Sequence, residues 1–236
     1  MTVARPIVVL IAMVATVPVV VATETPTDQV PDESPNRIRE VKKYGISAAV
    51  AIVPFFGGSQ SGPETLISDT NYQDTFETGH GLRLEGFYEW TPTRRAILGF
   101  IHNQWDGRFF RGGAFPNGAQ FDDFSLTGVY IGLKLRFRQD SRLRPFFLGN
   151  FGIVRLSSLD VTVNGSEIPY WDSTYREYLD LGAGIEYDLT DNVVFFLDAR
   201  LELFGKPDSA NPPISDATGA SAFPITFGID YKFQNH

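Results

Sequence analysis

The chain of 236 residues has no cysteine and a formal net charge of −8, from 28 acidic and 20 basic residues. The missing cysteine excludes disulfides, thiolate chemistry and a lipid-modified N-terminal cysteine, and the acidic balance argues against a nucleic-acid partner. Aromatic residues make up 14% of the chain, with 20 Phe and 9 Tyr. That share is high for a soluble domain and expected where rings line two membrane interfaces.

Met1 to Ala22 holds one basic residue, Arg5, then an apolar run from Ile7 to Val21 interrupted by Pro18. Val20-Val21-Ala22 supplies small or β-branched residues where a signal peptidase reads, so residues 1–22 are expected to be a cleavable export signal. The run is shorter than the roughly 20 apolar residues a spanning helix needs. Loss of Arg5 takes the net charge from −8 to −9. Residues 23–43 are polar, carry Pro26, Pro31 and Pro35, and show no apolar period, which predicts a flexible periplasmic lead-in. Residues 44–236 then suit one domain.

Eight strand candidates follow, near 44–56, 79–90, 95–105, 123–138, 145–155, 176–189, 192–204 and 222–233. Tight turns at Thr91-Pro-Thr-Arg94, Gln139 to Arg144 and Thr190-Asp191-Asn192 alternate with long connections near 57–78, 106–122, 156–175 and 205–221. Short turns at one end and long loops at the other are the asymmetry of an outer-membrane barrel. Loops of that length are uncommon in a compact soluble domain.

Successive side chains of a strand take opposite faces. In the last strand Ile225, Phe227, Ile229, Tyr231 and Phe233 share one face, and Thr226, Gly228, Asp230 and Lys232 the other. Around 129–138, Val129, Ile131, Leu133, Leu135 and Phe137 alternate with Tyr130, Gly132, Lys134, Arg136 and Arg138. Arg or Lys on a lipid face costs roughly 2–4 kcal/mol at mid-membrane, so turning this strand around costs up to about 10 kcal/mol. The apolar faces therefore point to lipid. The same reasoning directs Arg83, Glu85, Glu89, Asp180, Glu186, Asp188, Asp198, Arg200 and Glu202 to the lumen. The expected lumen network holds six cations, Arg83, Lys134, Arg136, Arg138, Arg200 and Lys232, against eight carboxylates. The candidates at 44–56, 95–105 and 145–155 have no clear alternation, and no phase is assigned to them.

Arg144-Pro-Phe-Phe-Leu-Gly-Asn-Phe-Gly152, Leu181-Gly-Ala-Gly-Ile-Glu-Tyr-Asp-Leu-Thr-Asp-Asn192 and Phe196-Leu-Asp-Ala-Arg200 resemble strands five to seven of the OmpA-like outer-membrane barrel superfamily. The resemblance spans about residues 44–233. It implies an all-β, eight-stranded antiparallel up-and-down transmembrane barrel in the bacterial outer membrane, in contact with its lipid. It also implies a C-terminal strand read by the outer-membrane assembly machinery. The terminal aromatic is Phe233, followed by Gln234-Asn235-His236, which departs from a strictly terminal aromatic. No peptidoglycan-binding domain is present, so wall tethering is not implied.

An eight-stranded barrel is just wide enough for its own side chains, so the lumen reads as a plug of ion pairs. A gated conduit for small or hydrophobic solutes, as in the similar OmpW family, is the alternative. The histidines are His80, His102 and His236, and His102-Asn103-Gln104 lacks the serine of the His–Ser–acid sets that some outer-membrane enzymes carry. With no HExxH, phosphate loop or Gly-x-Ser-x-Gly, no catalytic, cofactor or metal residues are assigned. Phe109, Phe110, Phe115, Tyr170 and Trp171 fall in long loops as possible contact residues, though rings at the upper membrane interface or packing between loops would explain them equally. Val161-Thr-Val-Asn-Gly-Ser166 holds an Asn-Gly turn, which predicts a hairpin. The expected role is structural or surface-interacting, through four long outer loops above a sealed polar lumen.

Overall fold

The computed structural model describes residues 44–61, 70–112, 115–137, 141–210 and 216–233. The expected export signal, 1–22, and lead-in, 23–43, lie outside these residues. Eight long strands carry the architecture: β1 (Tyr44–Val53), β2 (Gly79–Thr91), β3 (Arg94–Trp105), β4 (Phe124–Arg136), β5 (Leu143–Leu156), β6 (Thr174–Asp188), β7 (Val193–Phe204) and β8 (Ile225–Lys232). Each pairs antiparallel with the next, and β8 pairs with both β7 and β1, so the sheet closes.

The register fixes the barrel's stagger. From Phe146 the paired residues run through Gly184, Asp198, Thr226, Ala51, Gly81, Asn103 and Leu126, and return to β5 at Leu156, ten residues further on. A stagger of this size tilts the strands and leaves an interior that side chains can fill.

Burial alternates along every strand. On β4, Val129, Ile131, Leu133 and Leu135 are exposed while Tyr130, Lys134 and Arg136 are buried. The three strands without a sequence-assigned phase acquire one from their neighbours. β1 sends Tyr44, Ile46, Val50 and Ile52 outward; β3 sends Leu98 and Phe100 outward and Arg95 and Trp105 inward; β5 sends Phe147, Phe151 and Ile153 outward and Arg144, Phe146 and Asn150 inward. From Phe137, just past the end of β4, to Thr127 the outer wall spans ten residue steps. At about 3.3 Å per residue and a tilt near 40° this is an apolar band roughly 25 Å tall, the height of a lipid-facing belt. Tyr44, Tyr88, Trp90, Tyr187 and Tyr231 form an exposed aromatic collar where the tight turns lie.

At the other end the connections 54–78, 106–123, 157–173 and 205–224 build structure of their own. Phe55–Gly57 and Ala220–Ala222 extend the barrel wall upward beside β7. A separate five-stranded sheet combines Phe109–Gly112, Phe115–Phe121, Leu159–Val163, Ser166–Asp172 and Asp208–Ser209. The hairpin expected at 161–166 is part of it: Asn164 and Gly165 take φ of 52° and 79°, the left-handed pair that a two-residue primed turn demands.

Candidate functional site

The interior divides into a polar layer toward the turn end and an aromatic layer toward the loops. Eleven of the charged residues assigned to the lumen from sequence are buried: Arg83, Glu85, Glu89, Lys134, Arg136, Asp180, Glu186, Asp198, Arg200, Glu202 and Asp230. Asp188 and Lys232 are half-buried. Arg138 lies outside the described residues. Two cations were missed, Arg95 on β3 and Arg144 on β5, both buried. The polar residues sharing their parity, Asn103 and Asn150, are the signal that could have set the phase of these strands.

The network links neighbouring strands and also crosses the lumen. Arg83 of β2 reaches Asp180 of β6 at 3.1 Å and also pairs with Glu202 of β7. Glu202 further accepts from Tyr178 at 3.1 Å and from Asn103 at 2.9 Å. Arg200 grips Asp198 through Nε at 2.8 Å and Asp180 at 3.1 Å, and Tyr130 donates to Glu85 at 2.7 Å. Nearer the turns, Arg95 ties Glu89 of β2 at 2.8 Å to Asp230 of β8 at 2.5 Å. Glu186 gathers Lys134 at 3.1 Å and Arg136 at 2.7 Å, while Arg144 pairs with Asp188. The Lys134 ammonium also sits 4.3 Å from the Phe146 ring centre. Ions taken out of water cost several kcal/mol each unless paired, so this mutual pairing is what makes a charged interior tolerable.

Above the ions the lumen is filled by rings. Trp105 stacks on Phe55 at 4.6 Å and on Phe124 at 5.7 Å, and Phe124 meets Trp171 edge-on at 5.5 Å. The Trp105 indole donates to the Val53 carbonyl at 2.7 Å. A single helical turn, α1 (Tyr72–Thr75), lowers Tyr72 into the cluster, where its hydroxyl donates to the Thr218 carbonyl at 3.1 Å. Burial, with Tyr170 nearby adding to it, pushes the Tyr72 phenol well above its ordinary range. Gly99 makes room lower down: a Cβ there would lie 2.2 Å from the Tyr130 ring.

No protein family and no curated protein matches this sequence. Among solved structures, the outer membrane protein OprG of Pseudomonas aeruginosa matches with a TM-score of 0.50 at 15% identity, covering 82% of this chain and 97% of that one. The chain shares the eight-stranded β-barrel fold of outer-membrane proteins. Neisserial surface protein A gives a TM-score of 0.48 at 15% identity over 80% of this chain and 97% of that one. The outer membrane protease OmpT of Escherichia coli gives 0.46 at 14% identity over 83% and 100%. At these identities the likeness is one of fold alone.

The structure separates the loop residues of this barrel. Tyr170 and Trp171, possible contact residues that loop packing would equally explain, are 2% and 1% exposed, so they stand with the packing. Their strand folds back over the mouth, and the apolar area of two large rings is better removed from water inside the aromatic layer. Phe110 is half-buried against the same cluster. Phe109 is 59% exposed, and the side chain of Phe115 lies outside the described residues. Asp122, Asp160 and Glu167 bring their carboxylates within 4.8 Å of one another on the loop surface. They are the one such trio among the described residues, and exposed acids gather this way without an ion.

His80 and His102 stand on the outer wall at the loop ends of β2 and β3, apart from the lumen network. The His102 ring shares a hydrogen bond with the Thr127 hydroxyl at 2.7 Å. A hydroxyl partner is thus present, but on the neighbouring strand β4, where a search for a serine two positions along β3 could not find it.

Proposed function

We propose that this chain is an outer-membrane protein with a sealed lumen, whose work is done by the folded loop platform above the barrel. The observation that carries this reading is the doubly filled interior: paired charges such as Arg83, Asp180 and Glu202, each at most 1% exposed, lie beneath a ring cluster centred on Trp105, which is 0% exposed. A water path would require at least one cross-lumen pair to open and the rings above it to part. In this reading residues 1–22 direct export and are removed, and 23–43 form a periplasmic lead-in. The terminal strand bearing Tyr231 and Phe233 is recognised by the assembly machinery, and the turn end faces the periplasm. The apolar belt, the aromatic collar and the fold shared with OprG support the location. The role is structural or surface-interacting, without catalysis.

The test is conductance of the refolded protein in a planar bilayer. A folded barrel that stays silent is expected. Steady unitary openings would replace this reading with that of a narrow conduit for small or hydrophobic solutes.

A further inference from the structure

The outer wall is not uniform around its circumference. On the outward positions of the eight strands, among the described residues, the full charges are Arg94 near the turns and Arg155 and Glu177 near the loops. Arg155 continues a polar row: the register pairs His102 of β3 with Thr127 of β4, and Thr127 with Arg155 of β5. Gln104 and Ser125, also paired, lie one step further toward the loops. The ten-residue stagger shifts a level ring by about 1.25 residues per strand. With that shift applied the row climbs about 2.5 residues, roughly 6 Å, toward the loops from His102 to Arg155, and the wall at the height of His102 presents Ile52 on β1, Leu203 on β7 and Phe223 just before β8. One sector of the rim is therefore polar where the opposite sector is apolar.

The height of this sector matters. It lies at the upper limit of the 25 Å belt, where hydrocarbon gives way to headgroups. The His102–Thr127 bond holds both groups in place. Arg155 is exposed, its recorded side-chain bond is a long one of 3.5 Å to Ser173, and no carboxylate of a described residue lies within 4.0 Å of its nitrogens. Glu177, the one outward-facing carboxylate of the eight strands among the described residues, lies one strand over beside Ile153. A guanidinium fits a phosphate with two parallel hydrogen bonds, and hydroxyl and imidazole groups add further ones. With a net charge of −8 the protein as a whole repels anionic surfaces, so an exposed cation with no carboxylate partner among the described residues is a local exception on this rim.

We propose that the His102–Thr127–Arg155 row docks the anionic phosphate headgroup of a lipid in the loop-side leaflet. The proposal rests on the reading of the chain as membrane-spanning. It is tested on the detergent-solubilised full chain by native mass spectrometry with equal amounts of phosphatidylglycerol and phosphatidylcholine. Retention of phosphatidylglycerol is expected to exceed that of phosphatidylcholine about threefold, the scale of one exposed ion pair. R155A should bring the ratio to about one, and R155K should keep only part of it, because an ammonium retains the charge but not the two parallel hydrogen bonds. Equal retention of both lipids by the wild type, or an unchanged ratio in R155A, would overturn the proposal. So would displacement of the lipid by inorganic phosphate, which would mark a free-anion site instead. Heat-dependent gel mobility confirms that each variant is folded. Failure of the wild type to enter vesicles at all would overturn the membrane-spanning reading itself, and with it the docking site.

Discussion

Replacing Arg83 by Met tests the claim that the lumen is held by mutual pairing of buried ions. Arg83 is 1% exposed and contacts Asp180 at 3.1 Å, the Tyr178 hydroxyl at 3.2 Å and Glu202. Methionine fills most of the volume but leaves Glu202 with only Tyr178 and Asn103, and Asp180 with Arg200 and Asn150. Removing one partner of a buried pair costs about 3–5 kcal/mol, chiefly because the remaining charge is left uncompensated. Neutralising that charge should recover part of the loss. In a cycle of R83M, E202Q and the double variant, the double variant should therefore be less damaging than the sum by about 1–3 kcal/mol. The assay is urea unfolding in phospholipid vesicles, followed by tryptophan fluorescence and by mobility of unboiled samples. A loss in R83M below about 1 kcal/mol, or additivity within about 0.5 kcal/mol, would refute the reasoning.

Other perturbations separate the barrel's layers. Leu133→Arg places a charge in the lipid belt and should cost about 2–4 kcal/mol in the same unfolding assay. Gly99→Ala forces a Cβ to within 2.2 Å of the Tyr130 ring and should cost about 1–3 kcal/mol. Gly149→Ala, outward and with its nearest neighbour at 3.4 Å, should be close to neutral in parallel measurements. Trp171→Ala should destabilise by about 3–5 kcal/mol and make the 157–173 connection sensitive to added protease. The raised Tyr72 phenol means that the closed cap holds it neutral while an opened cap lets it ionise. The stability it supplies is complete below the ordinary phenol pKa of about 10 and is lost as pH rises beyond it. Y72F should lessen the rise in proteolysis of the cap between about pH 9 and pH 11.

How far the sequence reveals this molecule depends on how local the signal is. Strands such as β4 and β6 announce their phase because a residue of the wrong class on the lipid side, Lys134 or Asp180, costs too much to be ambiguous. The turn positions are equally local, as at Asn164-Gly165, where both residues adopt left-handed backbone. Arg144 escaped because it falls in the expected Gln139–Arg144 turn, and Arg95 because the stretch after it, Ala96 to Ile101, is apolar on both faces. Inner positions near the loops hold rings instead of charges, so alternation fades where the lumen turns aromatic.

What sequence could not supply was contact between distant segments. Tyr170 and Trp171 sit in a polar stretch that suggests exposure, and only the fold of the loops over the mouth places them beside Phe121 and Phe124. The pairing of His102 with Thr127 depends on the register between β3 and β4, which separates them by 25 residues. The cross-lumen ties of Arg83 and Arg95 follow from closure of the sheet, a property of all eight strands together.

The central claim, that these strands cross a membrane with one face to lipid, is tested most directly by cysteine accessibility. The natural chain has no cysteine, so single-cysteine variants give one label each. With the protein in vesicles, a membrane-impermeant maleimide should label N164C at the loop hairpin quickly and leave I131C on the outer wall of β4 unreacted until the vesicles are dissolved in denaturant. Labelling of I131C as fast as N164C in intact vesicles would contradict the account.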